Sequence, residues 1–266
     1  MSRFEIKSGS LISVKSGGSF SDKDFETTVF LGDCHIPFHD PDTLANVYEF
    51  IKDFQPDHIF ILGDWVDFKD LSKFEKEPDD RFRLQKDLDL SSNYLADLRS
   101  ITPKSHIVFM AGNHEDRLRK WIWRNPDVAG LRSLSIPELL DLDNLRIEYC
   151  GYGELYDHHG FIVKHGDIVR KYSGMTARAE MEKVGKSGIS GHTHRLSSYF
   201  RRTMDGTMVW YECGCLCELN PEWVHYPDWQ QGFAVAWFEK AGNRFFVNLI
   251  PIIKSRFIFN GTYYKK

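Results

Sequence analysis

No stretch of this sequence approaches the run of about 18 apolar residues that a membrane-spanning helix needs. Residues 1–20, MSRFEIKSGSLISVKSGGSF, lack the apolar centre of a secretory signal. An excess of one charge is also missing. Lys and Arg number 34 against 38 Asp and Glu, a net charge of -4, which argues against purely electrostatic binding to nucleic acid but leaves room for a local basic patch. Cysteine is scarce. The five are an odd number, three of them packed into Cys213-Gly-Cys215-Leu-Cys217, so they do not form the even framework of a small secreted scaffold. No internal repeat is present, and the one biased segment is the Ser/Gly-rich stretch 8–19, expected to be flexible or an edge. Together these absences predict a soluble, cytoplasmic protein without a membrane partner. Residues two apart on a strand share a face, so the three thiols are expected as small buried groups along one strand. CxCxC is not a standard zinc spacing.

What is present is an ordinary globular balance, 42% hydrophobic and 27% charged, with ample material for a core. The first half alternates strand and helix. TTVFLGD (27–33), HIFILGD (58–64) and HIVFMAGN (106–113) are short apolar, β-branched runs. Between the first two, Asp40 can cap a helix, Pro41 suits its first position, and Leu44, Val47, Ile51 and Phe54 share a face. Residues 81–100 give a second helix with Leu84, Leu88, Ser91, Leu95 and Leu98 in phase. A βαβαβ order implies a largely parallel sheet. The second half predicts strands at 160–167 and 187–194 around a helix at 174–184. Two hairpins follow, turning at Asp205-Gly206 and at Ala241-Gly242-Asn243. One domain, 1–266, is expected, with a helical insert at 117–160 capping the site and a β-rich segment at 218–266.

The strands end alike, in a small residue followed by a metal-competent one: Gly32-Asp33-Cys34-His35, Gly63-Asp64-Trp65-Val66-Asp67, Gly112-Asn113-His114-Glu115, His165-Gly166-Asp167 and Gly191-His192-Thr193-His194. Parallel strands bring their carboxyl ends to one edge. Asp33, His35, Asp64, Asn113, His165, His192 and His194 can therefore converge. A lone Asp after a strand is usually a turn former, but five such pieces in order are specific. Oxygen and imidazole donors without thiolate suit Mn, Fe, Zn or Ni, and they are too many for one tetrahedral zinc.

These D-x-H, G-D-x-x-D, G-N-H-E, H and G-H-x-H blocks resemble those of the calcineurin-like metallophosphoesterases, over residues 28–217. The resemblance implies a four-layer α/β/β/α sandwich with mixed sheets and two divalent metal ions, manganese first, with Fe, Zn, Ni or Mg as alternatives. One ion would take Asp33, His35, Asp64 and His194. The other would take Asp64, Asn113, His165 and His192, with Asp64 as the bridge. It also implies His114 as the acid that protonates the leaving group while a metal-activated water attacks phosphorus, and Asp67 as the residue orienting His114. Gly214-Cys215-Leu216 stands where the family often has Gly-Ser-hydrophobic, which makes CxCxC a structural loop.

Glu115 is expected to hold backbone groups, and Asp116 to open a helix. Arg117 and Arg195 are the candidates for binding a substrate phosphate. Protein phosphatases of the family often carry GDxxDRG, whereas Phe68 and Lys69 follow Asp67 here. The expected substrate is thus a nucleotide or nucleic acid, cleaved by a phosphodiesterase, nuclease or nucleotide phosphatase. The alternatives are a protein Ser/Thr phosphatase and a non-catalytic scaffold of the same fold, and an intact His114 speaks against the scaffold.

Overall fold

The computed structural model describes residues 3–7, 10–14, 24–73, 83–221 and 224–265. Two sheets form the centre. The first has six strands: β3 (Phe25–Leu31), β4 (His58–Ile61), β5 (His106–Met110), β6 (Ile147–Cys150), β12 (Gly232–Glu239) and β13 (Phe245–Pro251), in the order β13-β12-β3-β4-β5-β6. Strands β3 to β6 run parallel, and β12 and β13 add an antiparallel edge. The second has five: β7 (Tyr156–His158), β8 (Phe161–Lys164), β9 (Gly188–Ser190), β10 (Leu196–Thr203) and β11 (Gly206–Cys213), in the order β10-β11-β9-β8-β7. Short antiparallel pairs, β1 (Arg3–Lys7) with β2 (Ser10–Val14) and β14 (Phe257–Phe259) with β15 (Thr262–Tyr264), lie outside them.

Alternation along each strand builds the layers. Val29, Leu31, Ile59, Ile61, Ile107 and Phe109 face one way, onto Leu44, Val47, Phe50 and Ile51 of α1 (Pro41–Phe54) and Leu88, Leu95 and Leu98 of α2 (Leu84–Ile101). Phe30, Phe60, Leu62, Val108 and Met110 face the other way, onto Phe161, Val163, Ile189 and Val209 of the second sheet. That sheet's outer face, Ile162 and Trp210, packs on Ala177 and Met181 of α5 (Met175–Val184). The architecture is the expected α/β/β/α sandwich. A strand buried on both faces must be apolar throughout, which is why VFL, IFI and IVFM are unbroken runs.

Asp40 caps α1 by accepting from the Thr43 N–H at 2.9 Å, with Pro41 at the first helical position. Both hairpins form where the turns predict them. The helical expectation for 117–160 is only partly met. That segment holds α3 (Asp116–Arg124), α4 (Ile136–Leu139) and short 3₁₀ turns, and then supplies β6 and β7, one edge strand to each sheet. Of the Ser/Gly-rich stretch 8–19, residues 10–14 form β2, while 8–9 and 15–19 lie outside the described residues, as do 81–82 of the expected helix.

The three cysteines do not share one strand face. Cys213 ends β11, and Gly214 then takes a left-handed φ of 79°, which breaks the alternation. Cys213 Sγ turns away, donating to the Phe30 carbonyl at 3.4 Å, whereas Cys215 Sγ, which donates to the Gln230 carbonyl at 3.6 Å, and Cys217 Sγ, 3.9 Å from His194 Nδ1, lie within 4.8 Å of one another beside His194. All five cysteines are free and buried.

Candidate metal centre

The carboxyl ends of β3, β4, β5, β8 and β9 meet at one seam between the two sheets. Asp33, His35, Asp64, His192 and His194 all have left-handed backbone, with φ between 46° and 72°. Non-glycine residues pay strain there, and such strain gathers at functional sites. Close approach explains two of the neighbouring glycines. A Cβ on Gly112 would stand 2.1 Å from Asp64 Oδ1, and one on Gly191 would stand 2.5 Å from Asp33 Oδ2.

Buried hydrogen bonds hold the loops in register. Asp33 crosses between the sheets, both of its oxygens accepting the His192 N–H at 2.9 Å. Asp64 Oδ1 accepts the His114 N–H at 2.8 Å. Glu115 is the keystone of the first sheet's edge. Its two oxygens accept the N–H groups of Gly112, Asp64, Trp65 and Val66 at 2.7–3.0 Å. The expectation of Glu115 as a backbone anchor thus has a definite form.

The structure brings the seven candidate ligands into two adjoining groups. In one, Asp33, His35 and His194 each offer a donor atom within 4.8 Å of the others. In the other, Asp64, His165 and His192 do the same. Asn113 Oδ1 joins the second group, 2.9 Å from His165 Nε2. Asp64 Oδ2 stands between the groups, 3.5 Å from His165 Nε2, 3.7 Å from His35 Nε2 and 3.8 Å from His114 Nε2. Divalent ions fit this donor set. His35 Nε2 and His194 Nε2 face one another at 3.0 Å, and His194 Nε2 is 3.5 Å from Asp33 Oδ1. Such separations are those of atoms ligating one ion at roughly 2.0–2.2 Å each.

The electrostatics agree. Burial, with His114 and His194 close by, lowers the pKa of His35, and burial beside His165 lowers that of His192, which favours the neutral imidazole, the form that can ligate a metal. Burial opposes a charge on His194, but Asp33 overcomes it and holds the ring up to about 10. A cation bound between them would displace that proton. Burial likewise opposes ionisation of Asp64, and His165, His114 and His35 outweigh it, pulling its pKa well below the usual carboxylate range.

Asp67 has a wider role than orienting one ring. Its Oδ2 is hydrogen-bonded to His35 Nδ1 at 3.0 Å and lies 3.1 Å from His114 Nδ1, whose own hydrogen bond goes to the Asp67 carbonyl at 2.8 Å, so Asp67 holds two imidazoles at once. Arg117 packs on this pair, with NH1 donating to the Asp67 carbonyl at 2.8 Å and NH2 lying 3.0 Å from His114 Nε2. Burial works against a charged His114, yet Asp64 and Asp67 hold it up to about 9.

Arg195, the other expected phosphate contact, has its guanidinium engaged within the fold. It donates to the carbonyls of Asp228, Arg170 and Lys171 and pairs with the Asp228 carboxylate, so it ties these loops together. His39 lies apart, hydrogen-bonded to the Tyr94 hydroxyl at 2.8 Å. Two neighbours of His194 were not among the expected site residues. They are Cys217, behind the ring, and Trp229, whose ring centroid is 4.2 Å away.

The profile of the calcineurin-like phosphoesterase family matches residues 27–196, more than half of the chain and all five blocks. The chain belongs to that family. This calcineurin-like phosphoesterase is 30% identical over 254 residues to the Gene 54 protein of Mycobacterium phage D29, covering 88% of this chain and 96% of that one. It is 29% identical over 252 residues to the Gene 54 protein of Mycobacterium phage L5, with the same coverage. Among solved structures it resembles Vacuolar Protein Sorting 29 from Cryptosporidium parvum, at 13% identity and a TM-score of 0.46, covering 91% of this chain and all of that one. It also resembles Yfce, a phosphoesterase from E. coli, at 12% identity and a TM-score of 0.38, covering 80% and 91%. The family's chemistry is metal-dependent hydrolysis of phosphate esters, so the two ligand groups are candidate sites for divalent ions. Among the described residues no helix is long and apolar enough to cross a membrane.

Proposed function

We propose that this calcineurin-like phosphoesterase hydrolyses nucleotide-type phosphate esters, as a phosphodiesterase, nuclease or nucleotide phosphatase. The observation that carries the reading is the place of Asp64, one carboxylate against both ligand groups and within reach of His114. Asp33, His35, Asp64 and His194 would hold one divalent ion, and Asp64, Asn113, His165 and His192 the other. Manganese is the first candidate and Fe, Zn, Ni and Mg are substitutes. When bound, such ions neutralise the ester and lower the pKa of a bound water towards about 7.

The chain's own groups do the rest. As the oxygen of a water that has released a proton to solvent bonds to phosphorus, the bond from phosphorus to the leaving oxygen breaks, and that oxygen takes a proton from His114, which regains one from solvent. Asp67 keeps the ring charged and turned towards the seam. Arg117, against both, adds a fixed positive charge beside the departing group. Preference for a nucleotide over a phosphoprotein is supported by the position after Asp67. Phe68 is buried there and contributes no cation.

The test is a panel with Mn²⁺ of 4-nitrophenyl phosphate, bis(4-nitrophenyl) phosphate, cyclic nucleotides, a phosphopeptide, single-stranded DNA and RNA. The expected result is turnover of nucleotide-type esters that a chelator abolishes and added Mn²⁺ restores. Turnover of the phosphopeptide alone would overturn the preference, and turnover of none would overturn the reading.

A further inference from the structure

A basic and aromatic surface begins at the metal seam and leads away from it. Helix α3 starts at Asp116, directly after His114 and Glu115, and its first-turn Arg117 touches His114. One to two turns on, the outward face carries Arg119, Lys120 and Trp123. Trp123 is 65% exposed, far beyond what a core tryptophan shows. The Arg119 guanidinium lies 4.5 Å from the Trp123 ring and 6.0 Å from Tyr152, and Lys120 Nζ lies 5.9 Å from Tyr152. Tyr152 also lines a cleft of about 440 Å³ whose wall includes His165 of the second ligand group. That volume is in the range of small-molecule sites, roughly 300–1,000 Å³. A second pair flanks the seam. Lys171 Nζ lies 5.1 Å from the exposed Tyr172 ring, and the Lys171 carbonyl accepts from Arg195, the residue after His194.

We infer that this track binds the unpaired bases and phosphates of a single-stranded nucleic acid, and so names the substrate class of the site. Three physical points lead there. The chain as a whole is acidic, at -4, but α3 carries Arg117, Arg119, Lys120 and Arg124 against Asp116, with which Arg119 and Lys120 both pair, so the helix keeps a net positive charge that acts as a local attraction for a polyanion. Exposed aromatic rings stack on any base that is not paired, and cations over those rings hold phosphates beside the stack. A duplex offers no free base faces, so the track selects single strands. A phosphopeptide would use the cations but leave Trp123 and Tyr152 without partners. The inference rests on the catalytic reading above for the position of the bond cleaved, but the binding track is independently measurable.

The experiment uses the full chain loaded with Mn²⁺ and carrying His114→Ala to suppress turnover, with a fluorescein-labelled 12-mer of thymidine followed by anisotropy. Adding Trp123→Ala or Tyr152→Ala should weaken binding roughly 5- to 150-fold, the worth of one stacked base. Adding Arg119→Ala and Lys120→Ala should flatten the dependence of log affinity on log salt by about 0.7 for each cation that meets a phosphate. Arg178→Ala, which removes an exposed cation from α5, should bind like the parent. A self-complementary duplex should bind more weakly than the 12-mer. Trp123 is exposed, so its variant is expected to fold, and an unchanged melting temperature verifies that. Equal binding by the parent and both aromatic variants, or tighter binding of the duplex, overturns the inference. Wild-type hydrolysis of bis(4-nitrophenyl) phosphate is measured in parallel. Its presence without aromatic-dependent binding sinks this inference alone. Its absence together with aromatic-dependent binding sinks the catalytic reading and supports the track.

Discussion

His114 matters in proportion to how badly the leaving oxygen needs a proton. Its imidazole is buried to 15% exposure, and its pKa is lifted from 6.5 to about 9 against the cost of burial. At 1.36 kcal/mol for each pH unit, that is about 3 kcal/mol of preference for the charged ring, supplied by Asp64 and Asp67. Cations on Asp64 would cancel its share and leave Asp67 as the principal support. Asp67→Asn keeps the shape, but it turns the charge-assisted bond to His35 into an ordinary one and removes the carboxylate charge 3.1 Å from His114 Nδ1. The expected loss is about 1–2 kcal/mol, or about tenfold in kcat/KM. The sign is fixed. A base whose pKa is raised keeps its proton below that value and loses it as pH rises through it. The alkaline limb of kcat/KM should therefore move down by about one unit in Asp67→Asn. His114→Ala should cost about 10²–10⁴-fold with an alkoxide leaving group and far less with 4-nitrophenolate, which departs without help. The assay is a pH-rate profile with one aryl and one alkyl ester of the same phosphate. Equal losses on both esters, or an alkaline limb that stays where it was, would refute the role.

Three further outcomes follow from single contacts. Asp64→Asn should reduce metal content by elemental analysis from two ions per chain to one at most, along with activity; two tightly held ions would argue against a shared carboxylate. Gly112→Ala drives a methyl into Asp64 and should cost metal affinity while far-ultraviolet circular dichroism stays native; normal loading would show the loop to be looser than drawn. His158 is buried at the opposite end of the sheets against Phe60 and Phe238, and burial beside His58 and His159 lowers its pKa to about 3. A base lowered in this way gives stability that is full above about pH 6.5 and lost as pH falls towards 3. Unfolding by urea should thus show about 2 kcal/mol less stability at pH 5 than at pH 7.5 from this residue, and His158→Phe should lack that part of the decline. Parallel declines in the two proteins would remove His158 as the cause.

Much of the molecule was legible because its signals are local. Asp40-Pro41 states a helix start, and a run such as HIFIL between turn residues can only be a buried strand once it is too short for a helix. The layers followed from the order of these elements. The edge strands β6 and β7 were not legible. IEYC and YDH are short, polar on one side and without a turn signature, and only docking against β5 and β8 makes them strands. CxCxC misled for a related reason. Gly214 looks like any strand glycine until its left-handed φ turns the chain. At the site, residue type and strand-end position were enough to gather seven candidate ligands. Their grouping came from family resemblance, because a contact such as Asp33 to His192 spans 159 residues. Arg195 and Arg117 were equal candidates by charge. Which one reaches the seam depends on carbonyls that only the folded loops present.

The placing of the ligands explains why the chemistry belongs to the sandwich and not to either sheet. Asp64 and Asn113 hang from the first sheet, His165 and His192 from the second, and Asp33 and His194 meet across the gap. Neither sheet alone completes a ligand group. The apolar layer of Phe30, Phe60, Val108, Phe161 and Ile189 fixes the sheet spacing, and that spacing sets whether His194 reaches Asp33 or stands too far away to share an ion. Interiors pack densely and resist small shifts in volume. The left-handed turns at Asp33, Asp64, His192 and His194 then aim each donor without any slack from a longer loop. A cation bound at the seam would pull on both sheets at once, and so would close the far end of the same core that positions its candidate ligands.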